Sequence, residues 1–330
     1  MPAFVRPVVL ALWTATLAAQ SERPPEAFQL AVGLQQRGLF DEAAEKFTAF
    51  LTQQPQHALV AEAHYRLGLC HVEGKRVDAA IAALQQAEAK GGPKFALLAE
   101  CRYRLGGLLL QKGDHEGAAV QFEALAGSVA KDHYLLAAAW FGAGEARRDA
   151  GDDARAQPAF AAAAAAATGE RASYRFAALY QLGFTQLRQQ QLPAAAATFT
   201  AAAGAAPDEA AKGECHYLSG DALLRLREYD AAQKAFARSV KLGGDFADDA
   251  AVGLGWVAVG RDDKKAAIAA FTAVLEQHAQ SPRAAEARLE LGRALYQDGQ
   301  AAAAETALQP LLAAGVDAGL QQQAQELLGL

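Results

Sequence analysis

Three residue positions recur eight times along this chain of 330 residues, and that register constrains the fold more than any other feature. A small residue stands at Ala31, Gly68, Gly106, Gly144, Gly183, Gly220, Gly255 and Gly292, at steps of 37, 38, 38, 39, 37, 35 and 37. Twelve residues after each comes Ala43, Ala80, Ala118, Ala156, Ala195, Ala232, Ala267 and Ala304. Four further on comes Phe47, Leu84, Phe122, Phe160, Phe199, Phe236, Phe271 and Leu308. The last two positions are i, i+4 neighbours, so they share one helix face. Between the first two runs a helical stretch and a polar turn such as Gly113-Asp114. Each copy therefore reads as two helices joined by a short turn. A Gly on the first helix opposite an Ala on the second lets the backbones approach, and the Phe or Leu fills the gap against the next copy. One copy cannot bury both of its faces, whereas stacked copies bury a continuous core. The pattern predicts an all-α solenoid of about eight helix-turn-helix repeats over residues 26–315.

Composition agrees with that reading. Alanine, the strongest helix former, supplies about a quarter of the residues, and Ile occurs only at Ile81 and Ile268. A chain so poor in β-branched Ile has little material for a large sheet. Asn is absent, which excludes N-glycosylation and every site built on an Asn side chain. The net charge of −6 argues against nucleic acid, whose binding needs a basic surface to replace phosphate counterions. Three cysteines, Cys70, Cys101 and Cys215, imply no disulfide framework. No phosphate loop, dinucleotide fingerprint, nucleophile elbow or His-Glu-x-x-His motif occurs. Asp152-Asp153, Asp248-Asp249 and Asp262-Asp263 fall at turns and helix starts, where they cap helices and meet the positive end of the macrodipole. The reading is a chain without an enzyme's constellation and without a cofactor.

The two ends differ from the middle. Residues 1–20 place Arg6 before the apolar run Val8–Leu17 and the small-residue exit Ala18-Ala19-Gln20. This is the order of a secretory signal peptide, with cleavage after Ala18, Ala19 or Gln20. A short uncleaved anchor or a disordered end is the alternative. The apolar run is too short to span a bilayer, which needs about 20 residues. The sequence thus predicts an exported protein, periplasmic or secreted, with one repeat domain over 21–330 and no transmembrane helix in the mature chain. Residues 317–328 read as a capping helix whose Gln321, Gln322, Gln323 and Gln325 give it a polar outer face.

The register resembles the tetratricopeptide repeat, a helix-turn-helix unit with a small residue, an Ala and a bulky apolar residue at these offsets. The resemblance covers about residues 26–315 and implies a right-handed α-solenoid that binds protein or peptide partners. Two departures stand out. The steps exceed the usual period of about 34 residues. The family's closing Pro is matched only at Pro55 and Pro207. Leu39-Phe40-Asp41-Glu42-Ala43-Ala44, followed by Phe47 and Gln54-Pro55, is similar to repeats of bacterial envelope proteins. So is the stretch from His278 through Ser281-Pro282-Arg283 to Leu291-Gly292. The types in question are the Tol–Pal-associated coordinator of cell constriction and the outer-membrane β-barrel assembly lipoprotein. No Cys for lipid attachment stands after residues 1–20 in this chain.

First helices line the concave wall of such a solenoid. Three residues before each small residue comes Phe28, Tyr65, Tyr103, Phe141, Tyr180, Tyr217, Val252 and Leu289, so six aromatics form a ladder in register. Flat, rigid rings grip extended or helical peptides, although aromatics are also common at this repeat position for packing alone. Beside the ladder, Arg66, Arg104, Glu145, Arg148, Asp221, Arg225, Trp256 and Arg293 are candidates for polar specificity, each with a solvated helix face as its plain alternative. One subset of the family clamps C-terminal carboxylates with Lys and Asn on these helices. The absent Asn and the aromatic ladder exclude that mode here. His64 and His71 lie about 10.5 Å apart along a helix, too far to share a metal ion, so no metal site is predicted. Two functions follow: an exported scaffold that holds a protein or peptide in a concave, aromatic-lined groove of the cell envelope, or a binder of a small glycan or lipid fragment.

Overall fold

The computed structural model describes residues 24–169, 172–313 and 316–329. The expected signal segment, residues 1–20, lies outside the described residues. Seventeen α-helices and no strand are found among the described residues, and sixteen of the helices form eight hairpins that follow the register. The chain divides into two compact units, Met1–Phe95 and Ala96–Leu330. The division falls directly after the short 3-10 turn Gly92–Lys94 and its following residue Phe95.

The first unit holds two hairpins, α1 (Glu26–Gln36) with α2 (Phe40–Gln53) and α3 (Val60–Glu73) with α4 (Val77–Gly91). The second holds six. These are α5 (Leu98–Lys112) with α6 (His115–Ser128), α7 (Leu136–Asp149) with α8 (Asp153–Ala166), and α9 (Ser173–Arg188) with α10 (Leu192–Ala203). They continue with α11 (Glu209–Arg225) and α12 (Tyr229–Leu242), α13 (Ala247–Gly260) and α14 (Lys264–Gln277), and α15 (Ala284–Gln297) and α16 (Ala301–Leu308). The last helix, α17 (Ala318–Leu328), starts at Asp317, whose carboxylate accepts from the Gly319 and Leu320 amides at 2.9 and 3.1 Å. Its buried Ala324 joins Leu308 and Leu311, so it covers the end of the final hairpin.

The register residues meet inside each hairpin more directly than expected. The nearest group to the glycine is the bulky side chain of its own copy, and at Gly68 the Ala80 carbonyl oxygen of the second helix follows at 3.5 Å from a Cβ placed there. A Cβ placed at Gly144 would lie 2.6 Å from the Phe160 ring, and one at Gly183 or Gly220 would lie 2.7 Å from Phe199 or Phe236. Two rings are also met by a glycine of the following copy. Phe122 lies between Gly106 and Gly142, and Phe236 between Gly220 and Gly253. The six register phenylalanines and both register leucines are buried. Each contributes roughly 1.5–3 kcal/mol by leaving water.

The turns obey a second register. Seven residues after each small residue stand Gly38, Lys75, Gly113, Gly151, Gln190, Arg227, Asp262 and Gly299, all left-handed with φ between 56° and 83°. In every hairpin the next amide reaches back five residues, as Asp114 N–H does to the Leu109 carbonyl and Glu228 N–H to the Leu223 carbonyl, both at 2.9 Å. This is the Schellman closure, which satisfies carbonyls left open at the helix end. The aspartates Asp114, Asp152 and Asp263 then cap the following helices.

Candidate partner-binding face

The ladder residues stand on the first helices, and five of the six aromatics are set against the register ring of their own hairpin. Ring centroids are 5.7 Å apart for Phe28 and Phe47, 5.8 Å for Tyr103 and Phe122, and 5.7 Å for Phe141 and Phe160. Tyr180 lies 6.3 Å from Phe199, and Tyr217 lies 6.1 Å from Phe236. Val252 and Leu289, the two ladder positions without a ring, are buried. In the seventh hairpin, Trp256 takes over the role, 6.1 Å from Phe271 and nearly perpendicular to it. Its position four residues after Val252 lies on the same helix side, which explains the substitution.

The two units treat the ladder differently. Phe28 and Tyr65 are only 4% and 7% exposed. Phe28 is wedged between Phe47 and Phe50, and Tyr65 is met edge-on by Phe95. These two expected contact residues are therefore core residues. Tyr103, Phe141, Tyr180 and Tyr217 are half-buried, with part of each ring left open. The Tyr180 hydroxyl donates to Glu214 Oε1 at 2.5 Å, tying α9 to α11. Burial and the neighbouring Glu214 push its phenol well above the ordinary range. Burial does the same, to a smaller extent, for Tyr103 beside Tyr174 and for Tyr217 beside Asp249 and Asp221. The rings remain neutral donors at physiological pH. Trp256 Nε1 donates to Glu286 Oε1 at 3.3 Å, a further link between consecutive first helices.

The polar candidates divide by their partners. Arg66 is held by Glu62 at 2.8 Å and by Gln35 at 3.2 Å. Arg148 donates to Gln181 at 3.0 Å and lies 2.8 Å from Asp149. Arg293 bridges Glu290, at 3.1 Å, and Gln323 of α17, at 2.6 Å. Asp221 and Arg225 form a looser pair at 3.7 Å, with the Asp221 carboxyl raised by burial. Glu145 is half-buried and likewise raised by burial. Arg104 is exposed.

An ion-pair cluster around a buried arginine escaped the sequence reading. Arg147, whose side chain is 3% exposed, donates to both oxygens of Glu123 at 2.8 and 2.7 Å and to Glu116 at 2.5 Å. These hydrogen bonds hold the guanidinium charged and lower the Glu116 carboxyl. Its partners lie 24 and 31 residues away in the preceding hairpin, so only the repeat register points to them. The cysteines are buried, and burial pushes the Cys70 thiol up to about 11 and Cys215 up to about 12, far from a reactive thiolate. Among the described residues, no group of three or more His, Cys, Asp and Glu side chains is placed to hold a metal ion. Among them also, no helix is long and apolar enough to cross a membrane.

Helical hairpins repeating one register, packed ring against glycine and carrying half-open aromatics on their first helices, define a helical-repeat interaction scaffold. The family profile described as tetratricopeptide repeat matches residues 28–94, 217–282 and 252–319, more than half of the chain. The chain belongs to the tetratricopeptide repeat family, whose fold serves protein–protein interaction. Among solved structures it is similar to the C-terminal part of a TPR repeat-containing protein from Cytophaga hutchinsonii. That match has 16% identity and a TM-score of 0.53, and covers 79% of this chain and 98% of that one. It is also similar to a tetratricopeptide repeat protein from Parabacteroides merdae, with 12% identity, a TM-score of 0.44, and 82% and 98% covered. MamA from Desulfovibrio magneticus matches with 24% identity, a TM-score of 0.42, and 56% and 97% covered. No curated protein sequence matches significantly.

Proposed function

We propose that this protein is a non-catalytic scaffold of the bacterial cell envelope that holds a protein or peptide segment along the first helices of its second unit. One observation carries the reading. Tyr103, Phe141, Tyr180 and Tyr217 repeat at one register position, each half-open and each fixed from behind by a second ring. Rings held in this way offer large contact area at little cost in conformational entropy. Arg104, Glu145, Asp221 and Arg225 beside them supply polar selection. Export is supported by the order of residues 1–20, a basic end, an apolar run and a small-residue exit.

The pair Tyr103→Ala with Tyr180→Ala tests the mechanism. Crosslinking in cells followed by capture should lose partners that the native chain retains. An unchanged set of captured partners, with the variant folded, would overturn the groove mechanism. Fractionation of the host tests export: the chain is expected in the periplasm or medium, and a purely cytosolic pool contradicts it.

A further inference from the structure

First helices of later copies carry a stripe that is closed to water. It holds the residues five and one before the register residue and two after it, all within about 60° around the helix. On α3 these are Ala63, Leu67 and Cys70, buried in one cluster with Phe47 and Phe50 of the preceding hairpin. On α11 they are Cys215, Ser219 and Ala222, again buried. The stripe is therefore the side that receives the copy before.

On α1 the same three positions are Glu26, Leu30 and Gly33. Among the described residues no helix precedes α1. Leu30 is 49% exposed, whereas Leu67 in the next copy is 8% exposed. A Cβ placed at Gly33 would meet nothing within 4 Å. Arg37 continues the stripe, with its Nε on the Gly33 carbonyl at 3.2 Å. Glu26 and Arg37 are exposed, and neither makes an ion pair among the described residues. Nearby, Leu39 is 40% exposed at a turn position where the next two copies carry Arg76 and Asp114. The last hairpin is covered by α17, but the first keeps an interior stripe open.

One exposed leucine alone needs no explanation. The order of the stripe does. Glu26 and Arg37 stand equally far from its midpoint, and so do Leu30 and Gly33. A second α1 laid antiparallel about a two-fold axis therefore sets Glu26 against Arg37 and Leu30 against Gly33, each twice. A parallel copy would set like charges together. Leucine on glycine is also the contact that closes the α3–α4 and α15–α16 hairpins. A Cβ at Gly68 would lie 2.8 Å from Leu84, and one at Gly292 would lie 2.5 Å from Leu308.

We propose that the outer stripe of α1 is a homodimer contact, filled by α1 of a second copy of this chain running antiparallel to it. This gives the first unit a role of its own and does not depend on the partner-binding reading of the second.

Sedimentation velocity of the full chain over a concentration series tests it, and a reversible dimer is expected. Gly33→Leu should weaken the dimer at least ten-fold, because the new side chain occupies the space that Leu30 of the other copy needs. At a concentration where the chain is monomeric, its melting temperature should hold or rise, since the position is open and leucine is the better helix former. Glu26→Arg and Arg37→Glu should each weaken self-association at least ten-fold, because each sets like charges together at both contacts. An equimolar mixture of these two variants should dimerise again, each supplying the charge that the other lacks. A native chain that stays monomeric overturns the proposal, whether residues 1–23 or a different protein covers the stripe. So does a dimer that Gly33→Leu and both charge reversals leave at native strength. Failure of the mixture to dimerise overturns it as well.

Discussion

Tyr65 and Tyr180 occupy the same register position, three residues before the register glycine, and meet different fates. In the first unit Phe28 and Tyr65 are closed off, Phe28 between Phe47 and Phe50 and Tyr65 against Phe95. In the second unit Tyr180 is met by Phe176, Phe184 and Phe199 and still stays half-buried, with its hydroxyl bonded to Glu214. One repeat position thus serves packing in one region and presents a surface in another. A further ring at a non-register position does not by itself decide between them, because Phe246 stacks on Tyr217, which stays half-buried, as Phe95 meets the buried Tyr65.

The largest expected effect tests what the two regions share. Phe47→Ala and Phe199→Ala each remove a fully buried register ring and should each destabilise by about 3–5 kcal/mol in denaturant unfolding. A much smaller loss in one unit would show that its hairpins are held by other contacts. Phe28→Ala sharpens the contrast. It should cost stability on the same scale and leave partner capture intact, whereas Tyr180→Ala should reduce capture at a smaller cost to stability. Gly106→Leu should cost roughly 1–3 kcal/mol, because a Cβ there would lie 2.9 Å from the Phe122 ring. An unchanged melting temperature would refute the ring-on-glycine seam.

The smallest expected effect concerns the turns. Lys75, Gln190, Arg227 and Asp262 sit in the left-handed region, where the other four copies use glycine. A side chain there costs roughly 1–2 kcal/mol, part of which glycine gives back in backbone entropy. Arg227→Gly should therefore raise the melting temperature slightly, and Gly151→Ala should lower it. The opposite order would mean that the Arg227 side chain makes a compensating contact.

Much of the fold was legible because the register is a backbone property. A small residue such as Gly144 and a bulky one such as Phe160 are needed where two helices approach this closely, and the eight copies repeat that need with Ala or Gly and with Phe or Leu. The target of the glycine was not legible. Spacing placed an alanine opposite it and did not show that the bulky residue four further on stands nearer still. The burial of Phe28 and Tyr65 was hidden because the same register position stays half-buried in Tyr103, Phe141, Tyr180 and Tyr217. Arg147 was missed because its carboxylates lie in the preceding hairpin. Trp256 was read as a polar candidate beside the ladder, and its ring contact with Phe271 was hidden because it stands one turn after Val252. The boundary at Phe95 has no linker to announce it.

Site-specific photo-crosslinking in cells tests the central claim most directly. A photoreactive phenylalanine analogue would replace Tyr103, Tyr180 and Tyr217 in the second unit, and Phe28 and Tyr65 in the first. Partner adducts are predicted at the three half-open positions and not at the two closed ones. Adducts at Phe28 and Tyr65, or none at any of Tyr103, Tyr180 and Tyr217, would contradict it.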